Sequence, residues 1–495
     1  MDQPTPMISS TPAITDRSHA WFLTQVARLR EMHVPGWLWV VLLWAVFAFP
    51  AVGLRGVHYE EGTVIGLARG AVEDGHWLAP HLYGVRFVER PVLLSWIAGG
   101  LGSLFGGVNV WSARLPHLMF LLAGGLMVFH LVRPLTRTPP AVFGALCWFA
   151  CSMVGQKFIT AEPDVTLSVL LFAAFVVWWK GEQHGCVSVS RWVAAGVLLG
   201  AAGLVKGPQP IAYFTLGVGA YLLLKQRWRD LPGFILANAV GAVIVGAWYV
   251  AVLAPGDVAH WRSHSRLADG MDASHWLRDH ADFVVSLFVE WLPGSLLVGP
   301  AIVALWRKDD LRDDGLLFAA LLYAGVGTLV LLVWPGGVAT RYAMPANLAL
   351  AVLGGVLFDR WWSSRPWLIG AGNTVVIAIS CYLVLLGWVA MPLFPDAFRQ
   401  TRIAATQIEA VRALRPGPLY VSAGASNVNV LASVAAPVRV LPLAAIAQLP
   451  GPVMALLTPA DIATLAATAP QLRLVPHAVP RDKSEARVVE ILRGN

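Results

Sequence analysis

The sequence predicts an α-helical membrane protein of many spans that ends in a small α/β domain. Of its 495 residues, 57% are hydrophobic and only 13% are charged, and the mean hydropathy is +0.63. A soluble domain carries about 25% charged residues, so this chain has roughly half the charge that a water-exposed surface needs. The 22 tryptophans fit a membrane protein, because indole rings collect at the membrane–water interface. These observations exclude a soluble enzyme and a disordered chain.

The net charge of +7 does not indicate a nucleic-acid partner, because excess Lys and Arg in a membrane protein mark its cytoplasmic loops. A stretch of about 20 apolar residues crosses a hydrocarbon core of about 30 Å. Such stretches predict about eleven spans, preceded by a polar cytoplasmic segment, 1–35, without a signal peptide. The predicted spans are 36–56, 112–132, 139–156, 163–180, 191–205, 208–224, 231–253, 286–306, 315–334, 342–360 and 367–392.

The short loops on one side of these spans are all basic, which places that side in the cytoplasm. These basic residues are Arg133, Arg137, Lys180, Arg191, Lys225, Arg227, Arg229, Arg307, Lys308, Arg312, Arg360 and Arg365. The N-terminus is then cytoplasmic, and the long loop 57–111 lies on the outer face of a transmembrane domain, 36–394. An odd number of spans places residues 395–495 on the outer side as well.

Two helices are predicted in the outer loop. Residues 91–107 are apolar but too short to cross comfortably, which favours an interfacial helix with Pro91 in its first turn. In 61–73, five apolar residues share one face, and Gly75 follows as a stop, which predicts a helix lying on the membrane.

The tail, 395–495, has a different pattern. Short apolar runs at 419–421, 438–441 and 453–457 alternate with helical stretches near 427–434, 443–448 and 459–468. Alternation of strands and helices predicts a small α/β domain. Because the tail has no Gly-rich phosphate motif, we interpret it as a structural or acceptor-docking cap.

Acidic residues on the outer side form two groups. Glu60 and Glu61 follow the first span, and Glu162 and Asp164 flank Pro163 at the start of the fourth. Each group can be explained as a helix start, since acids favour helix N-termini. Alternatively, both groups are functional, because charges at membrane depth are costly and rare. Their common side predicts a shared cavity.

Basic residues on the same side suit a phosphate group. They are Arg86, Arg90, Lys206, His264, Arg266 and Arg341, the last followed by Tyr342. Arg86 and Arg341 can also be explained as snorkelling residues at span ends. Lys206 is harder to explain in that way, because it lies in a Gly-flanked bend between two apolar spans.

The outer loop resembles a known superfamily over His58–Phe105. It contains an acidic pair, Glu60-Glu61, then Gly75-His76-Trp77-Leu78-Ala79-Pro80-His81, and then Arg90-Pro91. Weaker matches follow in order: Ala161-Glu162-Pro163, Leu204-Val205-Lys206-Gly207-Pro208 and Arg341-Tyr342-Ala343-Met344-Pro345. This pattern is similar to that of the aminoarabinose transferase and protein mannosyltransferase superfamily, the polyprenyl-phosphate-sugar glycosyltransferases of GT-C fold.

The resemblance implies a role for each matched residue. Glu60 and Glu162 stand where the superfamily has its catalytic acids, and Arg90 and Lys206 where it has phosphate contacts. Glu61 and Asp164 are candidate supporting acids, Arg86 and Arg341 further phosphate ligands, and Tyr59, Tyr83, His264, Arg266 and Tyr342 candidate donor or acceptor contacts. The chain departs from the pattern in two places. Glu60 replaces the usual Asp, and Thr63-Val64 stands where the aminoarabinose enzymes carry an Arg.

The resemblance therefore implies a membrane glycosyltransferase of the bacterial inner membrane, a monomer that works at the periplasmic face. It would transfer a hexosyl or pentosyl unit from undecaprenyl phosphate to lipid A, an envelope glycan or a protein, with inversion. No metal or other cofactor is expected to be required. A lipid or sugar-lipid transporter is the alternative from a different class, and a scaffold with a dead active site is another.

Overall fold

A computed structural model describes residues 34–50, 53–207, 211–258, 273–306, 314–335, 338–362, 364–435, 437–478 and 485–493. These residues form a bundle of apolar helices followed by a small domain built on a five-stranded sheet. The bundle helices are α1 (Gly36–Ala48), α2 (Glu61–Asp74), α3 (Leu93–Leu104), α4 (Val110–Val132), α5 (Thr138–Phe149), α6 (Pro163–Glu182), α7 (Val189–Lys206), α8 (Ile211–Leu224), α9 (Leu231–Val252), α10 (Ala273–Glu290), α11 (Ser295–Trp306), α12 (Gly315–Leu332), α13 (Ala346–Trp361) and α14 (Pro366–Leu385).

The helix lengths establish a multi-pass membrane protein. Among the described residues, six helices are long and apolar enough to cross a membrane, and two bent pairs raise the number to eight if each pair is one span. Helix occurs in each of the eleven predicted segments, although several of these helices are too short to count as full spans. The polytopic helical fold is therefore confirmed, whereas the number of eleven spans stays a prediction.

Two of the predicted spans contain a sharp bend, and each stays a prediction as one span. Residues 286–306 contain the break between α10 and α11, whose axes differ by 100°, because Pro293 and Gly294 interrupt the helical hydrogen bonding. Residues 139–156 bend by 63° after α5, where Cys151 has extended backbone angles (φ −63°, ψ 131°) before a short helical segment, Ser152–Gly155.

The core of the bundle lies where α5, α6, α12 and α13 meet. Trp148, Trp178, Phe172 and Tyr323 are fully buried there. α5 and α13 approach each other closely because Gly144 has no side chain. A Cβ atom at this position would lie 3.1 Å from the Ala351 carbonyl oxygen. Small residues permit such contacts between membrane helices, which pack through van der Waals contact rather than through exclusion of water.

The outer loop does not place its first helix on the membrane surface as predicted. Helix α2 is buried along most of its length. It packs in one apolar cluster with Ala98 of α3 and with Ala432 of the C-terminal domain. The sequence pattern identified an apolar face correctly, but protein rather than lipid covers it. Gly75 does end the helix, with φ +75°.

The rest of the loop forms a two-stranded hairpin, β1 (His81–Leu82) and β2 (Val85–Arg86), followed by α3. Pro91 was expected in the first turn of this helix, but α3 begins at Leu93, so Pro91 precedes it. With 12 residues, α3 is about 18 Å long at 1.5 Å per residue, which is too short to cross the bilayer.

The C-terminal α/β domain is present and contains a mixed sheet of five strands. They are β3 (Leu419–Ser422), β4 (Val438–Leu441), β5 (Val453–Leu457), β6 (Leu472–Ala478) and β7 (Arg487–Arg493). Across the sheet, the strands lie in the order β4-β3-β5-β7-β6. Its helices are α15 (Gln400–Arg412), α16 (Val428–Leu431), α17 (Leu443–Gln448) and α18 (Pro459–Thr468).

Most of this domain was predicted. The strands β3, β4 and β5 and the helices α17 and α18 are confirmed, whereas α16 is a single turn instead of the predicted 427–434. The sequence did not indicate α15, β6 and β7. Strands β6 and β7 pair antiparallel at the side of the sheet, and their exposed polar positions and Pro476 obscure the apolar alternation on which strand prediction relies.

Charged groups cluster at the two ends of the bundle. At one end, ion pairs join the connections between spans: Arg137 with Asp359, Arg360 with Asp314, and Arg227 with Glu182. All three arginines belong to the loops predicted to be cytoplasmic. The acids and bases predicted on the other side gather at the opposite end, where the candidate site lies.

Candidate functional site

The candidate site centres on Glu60, which precedes α2 by one residue. Its Oε1 atom accepts a hydrogen bond from Nη2 of Arg90 at 2.9 Å and another from Nη1 of Arg341. Arg90 lies just before α3, and Arg341 lies in a 3₁₀ turn, Thr340–Ala343, that leads into α13. Three distant parts of the sequence therefore bring one carboxylate between two guanidinium groups, and we call these residues the Glu60 cluster.

A second ion pair lies beside the Glu60 cluster. Nζ of Lys206, the last residue of α7, donates to Oδ1 of Asp164, and both side chains are buried. The Tyr342 ring connects the two groups, since its centroid lies 4.9 Å from Nζ of Lys206 and 5.8 Å from Cζ of Arg341. Burial lowers the pKa of Arg341, but the negative charges of Glu60 and Asp164 outweigh this effect and raise it. Arg341 is therefore a permanent cation at this site.

Glu162 has different partners. Its Oε2 atom is 2.8 Å from Nζ of Lys157, and its backbone N–H donates to Nδ1 of His117 at 3.3 Å. Nε2 of His117 lies 2.8 Å from the Lys157 carbonyl, which can only accept, so this ring is neutral and protonated at Nε2. Burial raises the pKa of the Glu162 carboxyl, the positive charge of Lys157 opposes the rise, and the negative charges of Asp164 and Glu60 add to it.

Within the described part of the chain, one oxygen of each of three acids is buried and has no hydrogen-bond partner. These atoms are Oε2 of Glu60, Oε1 of Glu162 and Oδ2 of Asp164. A buried acceptor without a partner costs about 1–3 kcal/mol, and more when it is charged. Each acid is therefore held through its other oxygen, Glu60 by two arginines and Glu162 and Asp164 by one lysine each.

Two neighbouring cavities open onto these acids. The first is small and is lined by Glu60, Arg90 and mainly apolar residues. The second, of similar size, is lined by Glu162, His117 and mainly apolar residues. Val64 and Leu94 line both cavities. The two cavities are therefore adjacent, and a single cavity shared by Glu60 and Glu162 stays a prediction.

Glu61, a candidate supporting acid, has a structural role instead. Its carboxylate is fully buried and accepts two hydrogen bonds from Arg114, at 2.6 Å from Nε and 2.8 Å from Nη2. Arg114 also donates to the carbonyls of Arg55 and Gly56. Glu61 accepts a further bond from the Ala161 N–H at 3.2 Å. This pair fastens the outer loop to α4 and to the turn before α6.

The structure does not bring every predicted residue to the Glu60 cluster. Tyr83 is buried against the C-terminal domain, and its hydroxyl donates to the Val428 carbonyl. Arg86 donates to the Val252 carbonyl and to Asp257. Tyr59 is largely exposed, with the Lys157 ammonium 5.1 Å from its ring centroid. His264 and Arg266 lie outside the described residues. The structure thus places Tyr83 away from the Glu60 cluster, its role as a substrate contact stays a prediction, and burial raises the pKa of its hydroxyl.

Sequence reasoning missed three residues at this end of the bundle: Arg114, His117 and Lys157. A signal was present for each, because Arg114 and His117 are polar residues inside a predicted apolar span and Lys157 lies in a predicted outer turn.

His58, next to the cluster, adds no charge at neutral pH. Burial, and then the positive charges of Arg55 and Lys157, lower its pKa to about 4, so its imidazole is uncharged above about pH 5.

No group of three or more His, Cys, Asp or Glu side chains is arranged to hold a metal ion within the described ranges. Instead, each acid at the site has a cationic partner: Arg90 and Arg341 for Glu60, Lys206 for Asp164, and Lys157 for Glu162. Arginine and lysine bind phosphate oxygens well, arginine through two parallel bonds and lysine as a point charge.

Comparison with known proteins confirms the resemblance on which the expectations rest. Residues 89–250 match the family model described as dolichyl-phosphate-mannose-protein mannosyltransferase. The chain is 23% identical over 381 residues to undecaprenyl phosphate-α-4-amino-4-deoxy-L-arabinose arabinosyl transferase 1 of Pseudomonas fluorescens, which covers 74% of this chain and 65% of the relative. It is 28% identical over 307 residues to the corresponding transferase of Pseudomonas aeruginosa, which covers 60% of this chain and 54% of the relative.

The alignments thus span less than two thirds of the length of these curated relatives. Among solved structures, ArnT from Cupriavidus metallidurans bound to undecaprenyl phosphate has a TM-score of 0.68 and 21% sequence identity, covering 92% of this chain and 97% of that one. The same enzyme in the apo state gives a TM-score of 0.66. The described chain therefore has the GT-C fold of a polytopic membrane protein, and its sequence is similar to the polyprenyl-phosphate-sugar glycosyltransferases of the aminoarabinose transferase type.

The buried Glu61–Arg114 pair yields a stability prediction. In Arg114→Ala, the Glu61 carboxylate stays buried without its counter-ion, which we expect to cost about 3–5 kcal/mol of unfolding free energy. The matched control is Arg137→Ala, which removes an exposed arginine from its pair with Asp359. Exposed pairs contribute about 0–1 kcal/mol. Thermal unfolding in detergent should show a large fall in Tm for Arg114→Ala only, and equal shifts would contradict a structural role for this pair.

Proposed function

We propose that this chain is a membrane glycosyltransferase that moves a sugar from a polyprenyl phosphate to an acceptor of the cell envelope. The observation that carries the proposal is the Glu60 cluster, in which two guanidinium groups hold one carboxylate that lines a cavity. The Glu60 carboxylate can accept a proton, and the guanidinium groups of Arg90 and Arg341 can bind a phosphate. Glycosyl transfer from a lipid phosphate to a hydroxyl acceptor uses both.

The relatives support this proposal over a transporter. Those reported above are named as transferases that use undecaprenyl phosphate-aminoarabinose, and the solved ArnT structure carries undecaprenyl phosphate. These relatives extend beyond the aligned region and are only 23% and 28% identical to this chain, so they do not identify the sugar that it transfers. Aminoarabinose is the first donor to test, although Thr63-Val64 stands where the superfamily pattern has an arginine. Lipid A, an envelope glycan and a protein are the candidate acceptors.

The charge of the site matches the two states of such a donor. Glu60, Arg90 and Arg341 together carry one positive charge, and Asp164 with Lys206 carries none. A sugar attached to a polyprenyl phosphate is a phosphodiester with one negative charge. Once the sugar has left, the lipid phosphate is a monoester with a charge of about −2. If Glu60 takes a proton in the same step, the cluster reaches +2, so the charges match before and after transfer.

The proposed step is a single inverting displacement. The bond between the anomeric carbon and the phosphate oxygen breaks, its electron pair leaves on the lipid phosphate, and a bond forms between the anomeric carbon and the acceptor oxygen. The acceptor proton moves to the Glu60 carboxylate. Because Arg90 and Arg341 are already fixed where negative charge develops, they stabilise the leaving group without reorganising. If the acceptor is itself a phosphate, no proton needs removal and Glu60 positions it.

Binding of the donor requires the cluster to exchange partners. Arg90 and Arg341 are paired with Glu60, so a phosphate that approaches them competes with that carboxylate. The exchange frees Glu60 from its hydrogen bonds at the moment when it must act as a base. Lys206 and Tyr342 lie next to Arg341 and extend the positive region, while Asp164 holds Lys206 in place.

We further propose that the site faces the periplasm of a bacterial inner membrane. The arginine-rich connections lie at the end of the bundle opposite the Glu60 cluster, as the positive-inside rule requires for a cytoplasmic side. The C-terminal domain contacts α2 beside the site, so it lies on the periplasmic side too, and the N-terminus is cytoplasmic. The working unit in this proposal is a monomer.

Glu60→Gln tests the chemistry. The amide keeps the size of the side chain but cannot accept the acceptor proton, and general-base catalysis contributes about 10²–10⁴-fold. We expect a fall in turnover of at least about tenfold with normal folding. The assay follows release of undecaprenyl phosphate from undecaprenyl phosphate-aminoarabinose by purified protein supplied with envelope membranes.

The matched control is Glu490→Gln on β7, which removes a carboxylate from the C-terminal sheet and should not change turnover. Full activity of Glu60→Gln would remove Glu60 from the mechanism. A wild-type protein that binds this donor but releases no lipid phosphate would favour the transporter or scaffold alternatives.

The membrane orientation can be tested with the native cysteines. Cys186 is exposed in the connection between α6 and α7, whereas Cys147 and Cys151 are buried. With Cys381 replaced by Ala, a membrane-impermeant maleimide added to spheroplasts should label Cys186 only after lysis. A second variant keeps Cys381→Ala and combines Cys186→Ala with Ala467→Cys, an exposed position on α18. The maleimide should label this variant in intact spheroplasts. The reverse pattern would invert the proposed topology.

A further inference from the structure

The C-terminal domain contacts the first turn of α2, directly after Glu60. The backbone N–H of Gly62 donates to Oδ1 of Asn429 at 3.2 Å. Asn429 belongs to α16, the single turn that lies against α2, and it is 367 positions away in sequence. This contact joins the C-terminal domain to the segment that holds the central carboxylate of the site.

Gly62 is the residue that permits this approach. A Cβ atom at this position would lie 2.6 Å from Oδ1 and 2.9 Å from Cα of Asn429, and 2.9 Å from the Val428 carbonyl oxygen. Real Cβ contacts are not this short, so any larger residue would push α16 away. The backbone of the C-terminal domain thus rests directly on the backbone of α2.

The contact solves a problem at the start of α2. The first N–H groups of a helix have no partner inside it, and a side chain at the N-cap position commonly accepts one of them. Glu60 is the N-cap residue of α2, but its side chain makes no such bond. Asn429 accepts the Gly62 N–H in its place. The Glu60 carboxylate is therefore not engaged with its own helix and extends to Arg90 and Arg341.

Further bonds keep α16 in this position. Nη1 of Arg69, on α2, donates to the Val434 carbonyl at 2.6 Å, and the Tyr83 hydroxyl donates to the Val428 carbonyl at 3.3 Å. The Val440 N–H donates to the Tyr83 carbonyl at 2.8 Å. The C-terminal domain is thus bound to α2 and to the hairpin that follows it, and Asn429 occupies the end of this contact nearest Glu60.

We propose that Asn429 is a positioning residue, which caps α2 from the C-terminal domain and thereby leaves the Glu60 carboxylate free to act at the site. This inference rests on the proposed transferase function. It gives the C-terminal domain a part in catalysis, because that domain supplies the cap that Glu60 would otherwise have to provide for its own helix.

Asn429→Ala and Asn429→Asp test the proposal in the full-length protein. Alanine removes the acceptor, so Glu60 can fold back onto the uncapped N–H groups. A displacement of a catalytic group by about 1 Å can cost up to about 100-fold, and we expect kcat for undecaprenyl phosphate-aminoarabinose to fall about tenfold or more. KM for this donor should not rise, because a Glu60 carboxylate that has folded back no longer competes with the lipid phosphate for Arg90 and Arg341. Aspartate keeps a side-chain acceptor and favours a helix N-terminus, so it should restore most of kcat.

A second measurement does not depend on activity. Amide hydrogen exchange at residues 61–64 should be faster in Asn429→Ala than in the wild type, and Asn429→Asp should return it to the wild-type rate. If the wild type shows no transfer while the exchange rates behave in this way, the proposed function fails and the cap stands. If transfer occurs but Asn429→Ala has wild-type kcat, the positioning role is overturned.

Glycine variants provide the matched comparison. Gly62→Ala forces α16 away from α2 and should lower kcat as Asn429→Ala does, and the double variant should be no worse than the single ones. Gly100→Ala, in α3, places its methyl group where no atom lies within 4 Å and should leave kcat unchanged. If Asn429→Ala cannot be obtained in a folded form, Gly62→Ala carries the test. Equal loss in Asn429→Ala and Asn429→Asp would overturn the proposal.

Discussion

The sharing of the Glu60 carboxylate between Arg90 and Arg341 is the interaction on which the rest of the site depends. An ion at membrane depth is costly unless it is paired, and this cluster joins the start of α2, the segment before α3 and the turn before α13. The buried Glu61–Arg114 pair fixes the neighbouring residue to α4. Adjacent acids in the sequence thus have separate tasks: Glu61 holds the loop in place, and Glu60 keeps one oxygen without a hydrogen bond.

The fold could be predicted to a large extent because hydropathy reports directly on membrane helices. The same signal could not show that α2 is covered by protein instead of lipid, since both surroundings favour an apolar face. It also could not reveal the break at Pro293-Gly294 as a change of direction by 100°. Strands β6 and β7 were missed because β6 pairs only with β7, and β7 pairs with β5, through contacts that no local pattern encodes.

For the site, sequence reasoning named the acids and most of the cations but not their partners. Glu60 and Arg341 are 281 positions apart, and no spacing rule relates them. Tyr83 belonged to the same outer loop as Glu60, yet the loop turns it toward the C-terminal domain. Lys157 and Arg114 were overlooked because an isolated charge near a span end is commonly a snorkelling residue. Their burial and their carboxylate partners, which only the structure shows, give them a role.

The central claim is that a lipid phosphate and the Glu60 carboxylate compete for the same two arginines. The most direct measurement is the affinity of undecaprenyl phosphate for the purified wild-type protein and for Glu60→Gln, at fixed salt. Without the competing charge, Arg90 and Arg341 are free to bind phosphate, so we predict that Glu60→Gln binds the lipid at least about tenfold more tightly, a difference of about 1.4 kcal/mol. Equal or weaker binding by Glu60→Gln would contradict the exchange of partners and, with it, this account of the site.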